Sequence, residues 1–270
     1  MIHFLPSFTF EGFYFGPFYI YSWGLAVAIG ILVAIWTASK RLTLLKKIQN
    51  KEYLGISEDT LWNFSIWLVI AIFLGARISY ILETWNYYSS NFSAILKLWE
   101  GGFSFFGGAL GGLLFGYYWC KKKKIDFLTL GAIFTPAWLW GLFFGRIGCF
   151  LIHDHLGKPT NLPWGIHFHG AYRHEPALYE AIWILLVVLG LYLWEKKKKF
   201  KTINEIIFPL SLILYSFGRF WIDFLRADPI EGGDDRFWGL TVAQWISIVV
   251  VSGSVWMIGK IKQKIVGRNF

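Results

Sequence analysis

Hydrophobic residues run along this chain in long segments that are separated by short polar and charged stretches. A membrane-spanning helix needs roughly 17–25 mainly apolar residues. Seven segments meet or approach that length: 17–39, 60–82, 103–120, 128–150, 176–195, 203–226 and 238–259. The pattern therefore predicts an all-α polytopic membrane protein with about seven transmembrane helices, and we expect residues 1–270 to form a single membrane domain.

The polar gaps between these segments alternate in charge. Lysines gather after the first, third, fifth and seventh segments, around Lys40, Lys121, Lys196 and Lys260, whereas the other gaps carry few basic residues. Because basic loops stay in the cytoplasm, this alternation predicts an extracytoplasmic N-terminus and a cytoplasmic C-terminus. The first dozen residues lack the basic start and apolar core of a signal peptide, so we expect the first segment to be retained.

The composition agrees with a membrane protein. The chain is 56% hydrophobic and 16% charged, whereas a soluble domain is about 45–50% apolar and about 25% charged. A net charge of +9 would suit nucleic acid if it formed one patch, but the lysines are spread over four loops, so we expect no nucleic-acid partner. The predicted topology places Cys120 and Cys149 on opposite sides of the membrane, where they cannot pair.

One stretch, residues 145–165, combines a helix end with several charged side chains. Gly145, Gly148, Gly157 and Pro159 are expected to stop any regular helix here. Arg146 lies inside the apolar run, and a charge buried in a membrane segment is a functional-site hypothesis by default. The topology places this stretch on the outer side.

Two more arginines lie at a similar predicted depth. Arg219 and Asp223 are four residues apart and so face one side of a helix, with Arg226 one turn further along. Such arginines can reach the interface or simply pair with a carboxylate. Two guanidinium groups at one depth repel unless they share an anion, and arginine binds phosphate or carboxylate bidentately. Arg146 and Arg219 therefore indicate an anionic headgroup as ligand.

Glycines are concentrated in and before the third segment. Gly108, Gly112 and Gly116 repeat every four residues, which is typical of close helix packing in membranes. Gly101 and Gly102 could instead let the backbone approach a ligand. A broken third helix would suit a transporter of lipid or anions.

Five of the histidines fall in one predicted outer loop: His153, His155, His167, His169 and His174. Pairs spaced by two residues could bind a metal in an extended segment. One of them, or Asp154, could instead act as a general base. The sequence leaves both readings open.

Residues 145–157, GRIGCFLIHDHLG, resemble the motif G-R-x-G-N-F-x-N-x-E-x-x-G of the prolipoprotein diacylglyceryl transferase family. Asp154 stands where the family has glutamate, and Cys149 and Ile152 replace two asparagines. Further stretches resemble the family in the same order: WEGGFSFFGG, RHEPALYE, GRFWIDFLR and GLTVAQW. Phe106 stands where a histidine or tyrosine is usual, and that residue is a proposed base.

The resemblance implies a bacterial inner-membrane enzyme with its active site toward the extracytoplasmic side. Such an enzyme transfers the sn-1,2-diacylglyceryl group of phosphatidylglycerol to the lipobox cysteine of a prolipoprotein signal peptide, which forms a thioether and releases glycerol phosphate. The expected partners are these two substrates and membrane lipids, and no metal or organic cofactor is required.

We expect Arg146 and Arg219 to clamp the phosphate, His174 to be the preferred base and Asp154 to orient the loop or take a proton. The predicted substrate-binding residues are Arg146, Arg219, Asp223, Arg77, Gly101, Gly102, Tyr179 and Glu180. The alternatives are a non-catalytic lipid or anion transporter, and a family member that binds lipid but has lost activity.

Overall fold

The computed structural model describes residues 9–49, 56–98, 101–155, 157–168, 170–197 and 206–266. The chain forms two compact units, one of residues 1–48 and 131–270 and the other of residues 49–130. The helices are α1 (Ser22–Gln49), α2 (Glu58–Glu83), α3 (Trp85–Tyr88), α4 (Phe105–Lys123), α5 (Phe127–Ile152), α6 (Pro176–Lys197), α7 (Ile207–Ile222) and α8 (Val242–Val266). Antiparallel two-stranded hairpins are β1–β2 (Gly12–Phe15, Phe18–Tyr21), β3–β4 (Ile166–Phe168, Ala171–Arg173) and β5–β6 (Arg236–Phe237, Leu240–Thr241).

The long helices coincide with the predicted apolar segments. Among the described residues, six helices are long and apolar enough to cross a membrane, namely α1, α2, α5, α6, α8, and α7 with the turn that follows it. The third predicted segment is the helix α4, which has 19 residues and three lysines in its last turn. It does not meet the same criterion, so the seventh span and the orientation of the termini stay predictions. Residues 203–205 of the sixth segment lie outside the described part of the chain.

The expectation that Gly145 and Gly148 stop the helix was wrong. Helix α5 continues through both glycines and ends at Ile152, and the chain turns at His153, whose φ is +50°. A side chain at Gly148 would lie 3.1 Å from Ala26 and from Trp23 on α1. The glycine therefore serves close packing of α1 against α5 rather than termination.

The first unit is built around a core of α5, α6 and α7. Its fully or nearly fully buried members include Ala132, Leu139 and Ile184. A buried ion pair joins α1 to α6, because both guanidinium Nη atoms of Arg41 bind the carboxylate of Glu195, at 2.7 and 2.5 Å. This pair and the apolar core fix the helices that carry the site.

The second unit rests on the contact between α2 and α4. A Cβ built at Gly75 would lie 2.5 Å from the carbonyl oxygen of Gly107 and 3.0 Å from the Cα of Gly111. Gly108 and Gly112 face Ile72 less closely. Close packing by small residues is therefore confirmed, with its tightest approach at positions that the four-residue repeat did not include. Helix α4 is unbroken from Phe105 to Lys123, which removes one of the features that favoured a transporter.

Candidate active site

One carboxylate joins the two arginines that the sequence singled out. Oε1 of Glu180 on α6 lies 2.9 Å from Nε of Arg146 on α5, and Oε2 accepts a hydrogen bond of 2.8 Å from Nη1 of Arg219 on α7. The Glu180 side chain is only 1% exposed. Tyr215 also donates to Oε1, at 2.6 Å. Three helices of the first unit thus converge on Glu180.

Asp223 is a second buried carboxylate beside this group. Its Oδ1 lies 2.8 Å from Nη2 of Arg219, which confirms the predicted contact four residues apart. Thr241, the residue immediately before α8, donates to Oδ2. Helix α7 ends at Ile222 and Asp223 begins a 3₁₀ turn. Nη1 of Arg226 still lies 3.6 Å from Oδ1 of Asp223, and it lies 2.6 Å from Oδ2 of Asp234.

The charges of this cluster balance. Arg146, Arg219 and Arg226 face Glu180, Asp223 and Asp234. We expected the two guanidinium groups to need a shared anion, and in this structure Glu180 is that anion. Each guanidinium has five N–H donors, so Glu180 uses only part of each. The two guanidinium groups are therefore held together by protein carboxylates before any ligand is present.

A second set of side chains follows the end of α5. Nδ1 of His155 lies 2.5 Å from Oδ1 of Asp154, and Nε2 of His155 lies 3.3 Å from Nη1 of Arg146. The same Nη1 is 4.0 Å from Sγ of Cys149. Asp154 and His155 are thus attached to the arginine cluster, and Asp154 reaches Arg146 through His155 rather than directly.

His153 contributes to the fold of this loop. Its Nδ1 lies 2.8 Å from Oε2 of Glu175, and both side chains are buried. Burial raises the pKa of Glu175, and the hydrogen bond with His153 acts in the opposite direction. We therefore place His153 in the packing of the loop against the start of α6.

His174 is held by backbone contacts that tie the loop to the end of α7. Its N–H donates to the carbonyl of Lys158, whose own N–H donates to the carbonyl of Leu225. A Cβ at Gly157 would lie 2.2 Å from the carbonyl oxygen of His174, so only glycine fits there. Nδ1 of His174 is 3.1 Å from the hydroxyl of Tyr179. Burial lowers the pKa of His174, which favours the neutral imidazole that a base requires.

Arg77 belongs to the second unit and has a different environment. Its Nη1 donates to the carbonyls of Gly101 and Gly102, at 2.6 and 3.0 Å, and its Nη2 donates to the carbonyl of Ala94 at 2.8 Å. Both glycines have φ near +81°. The loop therefore presents carbonyl oxygens to Arg77 rather than amides to an anion. These contacts hold the loop against α2, and the substrate-binding role of all three residues stays a prediction.

Sequence reasoning missed Tyr215 and Thr241, which hydrogen-bond to Glu180 and Asp223. Tyr215 lies four residues before Arg219, so the helical spacing that connected Arg219 to Asp223 could have identified it. Of the predicted histidine pairs, His153 and His155 contact different carboxylates, those of Glu175 and Asp154. His167 packs against Tyr172, and its pairing with His169 stays a prediction because His169 lies outside the described part of the chain. The side chains close enough to share an ion are instead Cys149, Asp154 and His155.

Comparison with known proteins gives one consistent result. A family model described as "Prolipoprotein diacylglyceryl transferase" matches residues 11–259. A protein of Finegoldia magna named phosphatidylglycerol–prolipoprotein diacylglyceryl transferase is 34% identical to this chain, over 90% of this chain and 92% of the relative. The protein of the same name in Clostridioides difficile is also 34% identical, over 86% of this chain and 87% of the relative. The relative in Fervidobacterium nodosum is also 34% identical, over 92% of this chain and 85% of its own length.

Proposed function

The chain belongs to the prolipoprotein diacylglyceryl transferase family, and from this we propose that it catalyses the first step of bacterial lipoprotein maturation. It transfers the sn-1,2-diacylglyceryl group of phosphatidylglycerol to the thiol of a lipobox cysteine. The sulfur forms a bond to the glyceryl carbon as the carbon–oxygen bond to phosphate breaks. Glycerol phosphate leaves and a thioether remains.

The observation that carries this proposal is the pairing of Arg146 and Arg219 by Glu180. Phosphatidylglycerol carries a phosphodiester with one negative charge, and departure of the diacylglyceryl group converts it into a phosphomonoester with more charge. Fixed guanidinium groups in a water-poor site stabilise such developing charge well. Arg146 and Arg219 thus form the phosphate clamp, and Glu180 and Asp223 set the orientation of its two members.

The thiol must lose a proton, since a cysteine side chain has a pKa of about 8.5. Phe106 cannot take a proton at the position where the resemblance implies a histidine or tyrosine. His174 is the base of this proposal, because burial lowers its pKa and so favours the neutral imidazole, and because the residue is only partly buried. Tyr179 orients it through the contact at Nδ1, which leaves Nε2 to accept the proton.

The membrane arrangement completes the proposal. We place the enzyme in the bacterial inner membrane as one transferase domain, with seven spans, an extracytoplasmic N-terminus and a cytoplasmic C-terminus. The alternation of lysine-rich gaps supports this orientation. It puts residues 145–165 on the extracytoplasmic side, where a signal peptide anchored in the same bilayer presents its lipobox cysteine.

The test is a transfer reaction with purified protein, phosphatidylglycerol vesicles and a lipobox peptide, analysed by mass spectrometry. We expect a peptide heavier by one diacylglyceryl group and none with a peptide whose cysteine is serine. A folded preparation that binds the lipid but forms no thioether would instead support a family member without activity. Full turnover by Arg146→Ala would contradict the phosphate clamp.

A further inference from the structure

His155 stands at a position where the family motif fixes no residue, and the proposed reaction gives it no role. Its ring lies between two charged groups. Nδ1 is 2.5 Å from Oδ1 of Asp154, and Nε2 is 3.3 Å from Nη1 of Arg146. The side chains of His155 and Asp154 are about one quarter and one third exposed, whereas that of Arg146 is 13% exposed. The ring therefore connects a carboxylate on the loop to the guanidinium of the phosphate clamp.

The turn after α5 brings these residues together. Helix α5 ends at Ile152, and His153 adopts a left-handed conformation with φ of +50°. The contact of His153 with the buried Glu175, at 2.8 Å, holds this turn in place. Asp154 and His155 consequently fold back over the last turns of α5, which carry Arg146.

The two contacts determine where the ring of His155 carries its proton. Arginine has donors and no acceptor, whereas an ionised carboxylate has acceptors and no donor. Nε2 must therefore accept from Nη1 of Arg146, and Nδ1–H must donate to Asp154. Only the neutral ring with its proton on Nδ1 meets both requirements. Since the hydrogen bond at one ring nitrogen sets the state of the other, Asp154 selects the form that can accept from Arg146.

Arg146 is consequently held at two of its three nitrogens. Its Nε lies 2.9 Å from Oε1 of Glu180 on α6, and His155 holds Nη1 from the side of the loop. Sγ of Cys149 is 4.0 Å from the same Nη1 and is only a weak acceptor. Because a guanidinium group is planar, two held nitrogens fix its plane and hence the directions of its remaining N–H groups.

We propose that His155 is a positioning residue for Arg146, and that Asp154 acts on the phosphate clamp through the Nδ1–H form of His155. This inference rests on the proposed transferase function and gives Asp154 a role other than taking a proton. It also accounts for an aspartate where the family motif has the longer glutamate. Asp154 reaches Arg146 only through the ring of the next residue, which covers the remaining distance.

The positioning of Arg146 matters most when the phosphate leaves. The phosphate gains charge as its bond to the glyceryl carbon breaks, and donors that already point at this charge stabilise it without reorganisation. Misplacement of such a group by about 1 Å can cost about a hundredfold in rate. His155 itself forms no bond to the substrate, so its effect on the reaction passes entirely through Arg146.

The first experiment observes the ring and does not depend on turnover. The full chain with ¹⁵N-labelled histidines is studied in detergent by long-range ¹H–¹⁵N NMR correlation at mildly alkaline pH, and His155→Gln identifies the signals of His155. We expect the wild-type ring to carry its proton on Nδ1. In Asp154→Ala, which removes the acceptor at Nδ1, the share of the Nε2–H form should rise. A wild-type ring with its proton on Nε2, or a ring unchanged in Asp154→Ala, would overturn the proposal.

The second experiment measures kcat per folded molecule for variants that differ in reach. His155→Gln places an amide oxygen where it can accept from Arg146, whereas the amide of His155→Asn is one methylene shorter and His155→Leu has no acceptor. We expect the asparagine and leucine variants to lose up to about a hundredfold in kcat, with kcat/KM falling equally, and the glutamine variant to retain most of it. The control is His167→Leu, because His167 packs against Tyr172 on the β3–β4 hairpin, and its kcat should not change. Equal kcat in the glutamine and asparagine variants would overturn the positioning role.

A double-mutant cycle tests whether Asp154 acts through His155. Asp154→Ala should lower kcat in the wild-type background and have little further effect in His155→Leu, because the ring that transmits its effect is gone. Additive losses would refute this coupling. Full activity of His155→Leu would refute the positioning role and leave the transferase in place. If the wild-type protein formed no thioether although NMR showed the Nδ1–H ring and its dependence on Asp154, the proposed function would fail while the contact stood.

Discussion

Replacement of Glu180 by glutamine probes the centre of the site directly. The change keeps the size of a side chain that is 1% exposed and removes the charge that lies 2.9 Å from Arg146 and 2.8 Å from Arg219. Loss of one member of a buried ion pair costs about 3–5 kcal/mol because the remaining charge is uncompensated. Since Glu180 serves two guanidinium groups, we expect a loss near the upper end, about 5 kcal/mol.

The functional effect of Glu180→Gln follows from geometry. Without the shared carboxylate the two guanidinium groups move apart, and misplacement of catalytic groups by about 1 Å can cost about a hundredfold in rate. The assay is thermal unfolding in detergent together with turnover per folded molecule. The matched control is Glu195→Gln, which breaks the buried pair with Arg41 away from the clamp.

The control should lose stability while retaining its turnover per folded molecule. Stability of Glu180→Gln equal to that of the wild type would refute the energetic reasoning. An equal fall in turnover per folded molecule for both variants would show that Glu180 acts only in the fold and does not set the clamp.

Three further outcomes are expected. Arg219→Lys cannot hold Glu180 and Asp223 together, so kcat should fall by about a hundredfold or more, while the same thermal unfolding assay reports its folding. Because burial lowers the pKa of His174, the acid limb of kcat/KM against pH should lie below the ordinary value of about 6.5; His174→Gln should abolish that limb, and an unchanged limb would exclude this base. Gly75→Ala places a Cβ 2.5 Å from the carbonyl of Gly107, so the free energy of unfolding should fall by about 1–3 kcal/mol. Gly116→Ala, where the nearest atom is 3.9 Å away, should not show this loss.

The long helices were predictable because a helix that spans a bilayer needs a long apolar segment. The charged gaps between these segments marked where one helix ends and the next begins. The contact between Arg219 and Asp223 was predictable for a similar reason, since both lie on one helix at a fixed spacing. Helical periodicity was therefore enough to predict the contact between Arg219 and Asp223.

Contacts between helices were not accessible in the same way. Glu180 was identified from a family motif, but that it lies between Arg146 and Arg219 depends on how α5, α6 and α7 pack, which no spacing in the sequence encodes. Gly148 shows that a local interpretation can also fail when helix packing decides the outcome. It was interpreted as a helix breaker, but in a membrane helix the missing side chain allows contact with Trp23 and Ala26.

Arg77 shows why a buried arginine alone does not define a ligand site. It was predicted to bind substrate, and in the structure its guanidinium donates to the carbonyls of Ala94, Gly101 and Gly102. A loop folded back over a helix can satisfy the same donors as a phosphate does. The sequence alone does not distinguish the two environments.

The most direct test of the account is the mass of a lipobox peptide after incubation with purified protein and phosphatidylglycerol. We expect a thioether-linked diacylglyceryl group on the cysteine, formed by the wild-type protein and lost in Arg146→Ala. Absence of the product with a folded, lipid-binding preparation, or its undiminished formation by Arg146→Ala, would contradict transfer at the arginine pair.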